Sequence, residues 1–150
     1  MPAPFPIESL GTAAGPAAFS LALRVYWEDT DAGGVVYYAN YLKFFERART
    51  EWLRELGVAQ QQLLDADGRH FVVSRATLHF VRAARLDDLL LVSARLLAAG
   101  RASLRVGQQA WRGDDLLAEA EVQVACVRGG APGAPLQPCR LPENLLERLR

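Results

Sequence analysis

At 150 residues, with 51% apolar and 23% charged side chains, the chain has the composition of one folded domain, not of a disordered or fibrous protein. Seventeen basic residues balance seventeen acidic ones, so no net field points to nucleic acid or an anionic membrane as partner. No apolar run approaches the roughly 20 residues of a membrane span, and the only cysteines, Cys126 and Cys139, read as free thiols in a reducing cytoplasm.

Residues 1–18 are rich in Ala, Pro and Gly, lack a basic leader region, and predict a loose arm. From Phe19 a strand begins, with Phe19, Leu21, Leu23, Val25 and Trp27 alternating with Ser20, Ala22 and Arg24, and its end falls at Val25, Tyr26 and Trp27. An acidic loop over 28–34 carries Glu28, Asp29 and Asp31, three carboxylates in four positions, followed by Gly33 and Gly34. A long helix starts near Tyr38 to Asn40. Tyr41, Phe44, Phe45, Ala48, Trp52, Leu53 and Leu56 recur at helical spacing and make one broad apolar face, while Lys43, Glu46, Arg47, Glu51, Arg54 and Glu55 fill most of the rest. Gly57 supplies the stop. At about 1.5 Å per residue this helix spans most of a small domain, which makes it the axis of the core.

After a short helix or turn over 58–68, the remainder reads as strands. In 71–81, Val72, Ala76, Leu78 and Phe80 share one face, and Arg75, Thr77 and His79 the other. The weaker alternation of 89–97 predicts burial on both sides. Leu104, Val106 and Ala110 face one way in 102–111. In 117–127 the set Ala118, Ala120, Val122, Val124 and Cys126 opposes Glu119, Glu121 and Gln123, the cleanest period of two in the chain. A loop over 129–138 leads to a short terminal helix with Pro142 near its first turn. One long helix and five or so mostly sequential antiparallel strands predict an α+β fold, the sheet curling around the helix.

The acidic loop is the chemical stretch. Amides in the first turn of a helix lack intrahelical acceptors and sit at the positive end of the macrodipole. Beside a carboxylate they suit acyl chemistry: the amide polarises a carbonyl and the acid attacks it or activates water. By residue type alone, the commoner role of Asp29 or Asp31 is to cap the turn or the helix.

The run WEDTDAGGVVYYANYLKFFERARTEWL, with FVVSRATLHFVRAARLDD and LLAEAEVQVACV, resembles hotdog-fold acyl-CoA thioesterases of the Tol-Pal-associated group, related to 4-hydroxybenzoyl-CoA thioesterase. The resemblance implies a hotdog domain over 19–128, one long central helix wrapped by a curled antiparallel sheet of five or six strands, followed by a C-terminal loop and short helix over 129–150. It implies that Asp31 is the catalytic carboxylate and that the backbone N–H of Tyr38 polarises the thioester carbonyl. Gly33, Gly34, Val36 and Tyr37 then line the substrate. Arg82 and Arg85 either meet a CoA phosphate or are solvated turn charges, the commoner role. Glu28 and Asp29 shape the loop, while Asn40 and Glu46 act as a helix-start hydrogen bond and a helix charge. Many Tol-Pal-type members have His at the Tyr38 position and Tyr at the Trp27 position. The 4-hydroxybenzoyl-CoA branch has Tyr where Tyr38 stands, so the mechanism implied here is Asp plus amide, without histidine.

The expected activity is hydrolysis of an acyl-CoA to free acid and CoA without metal or other cofactor, in a homodimer or homotetramer with the site at the seam between subunits. Acyl carrier protein is a further partner to consider. The aromatic set Trp27, Tyr37, Tyr38, Phe44 and Trp52 suits aryl or alkyl groups. Two alternatives stand beside this: a non-catalytic module that binds acyl-CoA or acyl carrier protein, which the intact Asp31 argues against, and a hotdog dehydratase, whose usual histidine motif is missing around His70 and His79. There is no metal-ligand spacing, no GxSxG elbow, no GxGxxG and no P-loop.

Overall fold

The apolar arc of the central stretch forms helix α1, Asn40–Glu55, in a computed structural model that describes residues 18–129 and 131–149. All seven apolar residues of the arc are buried, Phe44 and Phe45 completely. Complete burial of a side chain of that size stabilises the fold by roughly 1.5–3 kcal/mol. The helix stops where expected: Gly57 takes a φ of 88° and donates its N–H to Arg54 O. The short α2, Gln60–Asp67, follows and ends on Gly68, also left-handed.

Strand β1 (Ala18–Arg24) precedes α1; β2 (Arg69–Phe80), β3 (Leu89–Ala99), β4 (Ser103–Arg112) and β5 (Asp115–Arg128) follow α2. Their order in the sheet is β1-β3-β4-β5-β2, every pair antiparallel, with a two-residue β6 (Gln137–Pro138) added beside the end of β5. The first two strands therefore lie at opposite edges, separated by the three-strand meander. One core cluster sets Tyr41, Phe44, Phe45 and Ala48 against Val25, Val92, Ala110 and Val122. A second sets Trp52, Leu53 and Leu56 against Leu104, Val106 and Cys126, and is closed by Leu141 and Leu145 from the C-terminal segment. Leu145 belongs to α3, Glu143–Leu149, which begins just after Pro142. The sheet thus lines α1 along its length. The arm predicted for residues 1–18 lies outside the described residues, except for Ala18 at the start of β1.

Three expectations need correction. The first strand does not run to Trp27. It ends at Arg24, and Trp27–Asp29 is a single 3-10 turn that leaves Trp27 81% exposed. The turn is held by Asp29, whose N–H donates to Tyr26 O and whose carboxylate accepts the Tyr26 N–H. Second, Val72 does not share a face with Ala76, Leu78 and Phe80. A bulge at Ser74 inserts one residue between the pairs Val73↔Val124 and Arg75↔Gln123, so Val73 takes the face that Val72 was expected to take. Third, β3 is not buried on both sides. Leu90, Val92 and Ala94 are buried against the helix, but Leu89 and Leu91 stand about half exposed on the outer face.

Candidate active site

Between β1 and α1 the chain folds into a tight turn. Thr30 and Val36 pair across it, Asp31 N–H donates to Val35 O at 2.9 Å, and Gly34 N–H returns to Asp31 O at 3.0 Å. Gly34 sits at φ 80°, where a side chain would be strained. Gly33 brings its N–H to 2.8 Å from Asp31 Oδ1, and a Cβ there would come within 3.1 Å of the same oxygen. Gly34 is therefore required by its backbone conformation, and a side chain at Gly33 would crowd the Asp31 carboxylate. The Gly33 N–H holds one oxygen of an exposed carboxylate, and Oδ2 of Asp31 has no partner among the described residues.

Asp29, two positions earlier, has the opposite environment. It is buried, its carboxylate accepts the Tyr26 N–H at 2.8 Å, and its carbonyl accepts both Tyr37 N–H (2.9 Å) and Asn40 Nδ2 (2.8 Å). Asp29 and Asn40 thereby join the turn to the start of α1, the structural role expected of both. Glu28 is exposed.

The turn delivers the chain to the helix start. Asn40 N–H donates to Tyr37 O and Tyr41 N–H to Tyr38 O, so the first turn is already wound at these residues. The N–H of Tyr38 has no acceptor among the described residues. The end of a helix leaves such donors open, and the macrodipole makes them favourable to negative charge. The Tyr38 ring is 62% exposed, packed edge-on to Tyr37 and Phe80.

Of the other candidates, Arg85 pairs with Val35 across an isolated bridge, and Val36 N–H donates to Ala84 O at 2.8 Å. The 81–88 segment is thus fastened to the Asp31 turn. Asp88 fastens it further, accepting the Arg85 N–H at 2.8 Å and Arg112 Nη1 at 2.9 Å. Burial opposes the Asp88 charge, but Arg112 and Arg85 together hold its carboxyl below the usual carboxylate range. Arg82 and Arg85 are both exposed. Val36 is a core residue, 5% exposed, so only its backbone faces the turn. Asp31, Gly33, Gly34, Tyr37, Tyr38 and Arg85 converge in this region, while the two histidines lie elsewhere: His70 against Gly68 O, His79 near Glu119. Among the described residues no group of three or more His, Cys, Asp or Glu is placed to hold a metal ion.

Sequence reasoning passed over Arg49 and Gln108. Gln108 is fully buried and accepts Arg49 Nη1 at 2.8 Å. The signal for Arg49 was available: it lies four residues from both Phe45 and Leu53, inside the apolar arc.

The family model of the thioesterase superfamily matches residues 33–119. The acyl-CoA thioesterase YbgC of Haemophilus influenzae is 50% identical over 109 residues, covering 73% of this chain and 80% of that protein. The acyl-CoA thioester hydrolase YbgC of Escherichia coli O157:H7 is 41% identical over 133 residues, 88% of this chain and 96% of that one. Among solved structures, a probable thioesterase from Bartonella henselae superposes with a TM-score of 0.76 at 36% identity, over 84% of this chain and 100% of its own. The helix lined by a curled antiparallel sheet is the hotdog fold of these relatives. A match of that span, with a relative half identical over most of the chain, makes this protein a member of the thioesterase superfamily.

Proposed function

We infer that the protein hydrolyses acyl-CoA thioesters to the free acid and CoA, and that Asp31 and the Tyr38 amide carry the reaction. The observation behind this is the turn itself. It holds an exposed carboxylate by one oxygen and leads, seven residues on, to an open helix-start N–H, in a chain of the thioesterase superfamily. The thioester carbonyl oxygen would accept the Tyr38 N–H, which stabilises the negative charge that develops there. Asp31 then acts in one of two ways. As nucleophile it attacks the carbonyl carbon, the C–S bond breaks, CoA leaves as thiolate and takes up a proton, and water hydrolyses the mixed anhydride. As general base it takes the proton of a water that attacks directly. In both, the Gly33 N–H fixes Oδ1 and leaves Oδ2 for the reacting atom. Gly34 and Tyr37 shape the approach, and Arg82 and Arg85, on the segment fastened to the turn, suit the phosphates of CoA. The same thioester presented by an acyl carrier protein would meet the same groups.

A cytoplasmic location fits two unbridged thiols, Cys126 and Cys139, whose sulfurs lie 3.4 Å apart. No helix among the described residues is long and apolar enough to cross a membrane. The working unit we infer is a homodimer or homotetramer with the site at a subunit seam.

Asp31→Asn tests the assignment. The change is nearly isosteric and the residue exposed, so the melting temperature should hold while turnover on the best acyl-CoA falls at least about 10²-fold. Release of CoA, followed with a thiol reagent across a panel of acyl-CoAs, measures it. Near wild-type turnover in the variant would remove Asp31 from the mechanism.

A further inference from the structure

Helix α1 carries a cation inside its apolar arc. The spacing of Arg49 from buried Phe45 and Leu53 turns its side chain toward the sheet. There a cavity of about 250 Å³ opens between α1, the start of α2 and strands β2, β4 and β5. Leu53, Phe71, Val106 and Val124 give it apolar walls, and Thr50 and Gln60, joined by a 3.3 Å hydrogen bond, stand on its α2 side.

Arg49 has no contact ion pair in this cavity, although the Glu46 carboxylate also lines it. The bond to Gln108 Oε1 occupies one guanidinium N–H with a neutral acceptor, and Gln108 is itself fixed, its amide donating to Phe45 O and Ser93 O. Arg49 forms no ion pair among the described residues. Burial pushes its pKa down, opposed only by the charge of Glu46, three residues earlier on the same helix. No fully buried side-chain nitrogen lacks a partner among the described residues, so the remaining donors of Arg49 reach accessible space, and Arg49 lines the cavity. A partly desolvated guanidinium without a contact ion pair gains most from a carboxylate, which it can bind through two parallel hydrogen bonds.

Volume limits the ligand. At about 250 Å³ the cavity is smaller than the roughly 300–1,000 Å³ of pockets for drug-sized ligands, so its ligand is small. We propose that it binds a small carboxylate, the anion on Arg49 and a short apolar body against Phe71, Val106 and Val124. For a thioesterase this chemistry has two sources: the free acid that hydrolysis releases, or the distal carboxylate of a dicarboxylic acyl group still attached to CoA. Only the choice of source rests on the functional reading above.

Calorimetry on the intact protein with benzoate and its neutral isostere benzamide tests the site without any variant. Benzoate should bind at least about tenfold more tightly, the effect of one charge-assisted hydrogen bond pair. Arg49→Met, which keeps the apolar stem, should abolish the difference, and Arg49→Lys should keep part of it. Equal binding of the two compounds, or no binding of either, overturns the proposal. Initial rates on adipoyl-CoA and hexanoyl-CoA distinguish the sources. A preference for adipoyl-CoA, lost through a higher KM in Arg49→Met, identifies a substrate carboxylate. Equal rates with benzoate still bound identify the free acid. If Asp31 has been wrongly assigned, the calorimetric result is unaffected, so the two readings fail separately.

Discussion

Two carboxylates separated by one residue have different surroundings, and we propose different work for them. Asp29 is 5% exposed and answers the Tyr26 N–H, while Asp31 is open to solvent and held only by Gly33. Asp29→Ala strands the Tyr26 N–H and should cost about 1–3 kcal/mol, seen as a lower midpoint in urea unfolding. Asp31→Ala should change the stability measured in the same way by less than about 0.5 kcal/mol. Equal losses would mean that the turn does not divide its tasks in this way. This division was not legible in residue types, because the run Glu28, Asp29, Thr30, Asp31 offers three similar groups. What separates them is the 3-10 turn at Trp27–Asp29, which rotates Asp29 inward, and no local pattern announced that turn. The family resemblance singled out Asp31; composition did not.

At the scale of elements, α1 and β5 were legible because each buries one face along nearly its whole length, Arg49 being the one break on α1, so a period of 3.6 or 2 survives in the letters. Strand β2 was not, since the Ser74 bulge reverses the alternation halfway and carries no residue signature. The exposed leucines of β3 misled for another reason: Leu89 and Leu91 are apolar without being buried, and pattern alone cannot distinguish the two. The C-terminal segment yields a chemical prediction. Cys126, fully buried on β5, lies opposite Cys139, whose N–H donates to Cys126 O. Burial first, and the neighbouring thiol second, push the Cys126 thiol up to about 12. Only the thiolate alkylates readily, so iodoacetamide at pH 8 should modify the more exposed Cys139 well before Cys126. Mass spectrometry of the digested protein reports the order, and simultaneous labelling would contradict this packing. The sign for stability follows: the native state holds this proton more tightly than the unfolded chain does. The contribution is complete below about pH 9 and is lost as pH rises toward 12.

The whole molecule leaves one long edge open. Of the two outer strands, β1 has seven residues and β2 has twelve. At about 3.3 Å per residue, β2 presents some 40 Å of strand edge, and such edges are usually covered or paired. Part of its apolar exposure also lies there, with Val73 at 50%, Phe80 at 43% and neighbouring Val81 at 41%. The Phe80 ring packs 5.9 Å from that of Tyr38, so the edge leads straight to the helix start and its open amide. Two copies joined along β2 about a two-fold axis would cover these side chains and bring a second protomer against each site, and against the Arg49 cavity walled by Phe71 and Val73. Light scattering at micromolar concentration should therefore give twice the 16.5 kDa of one chain, or four times if dimers pair again. Val73→Asp would set like charges face to face at such a seam and should shift the protein toward monomer. Turnover should fall with it, although Asp31, Gly33 and Tyr38 are untouched. A wild-type protein that is only monomeric, yet fully active, would show that one chain builds the whole site and that the β2 edge has no part in it.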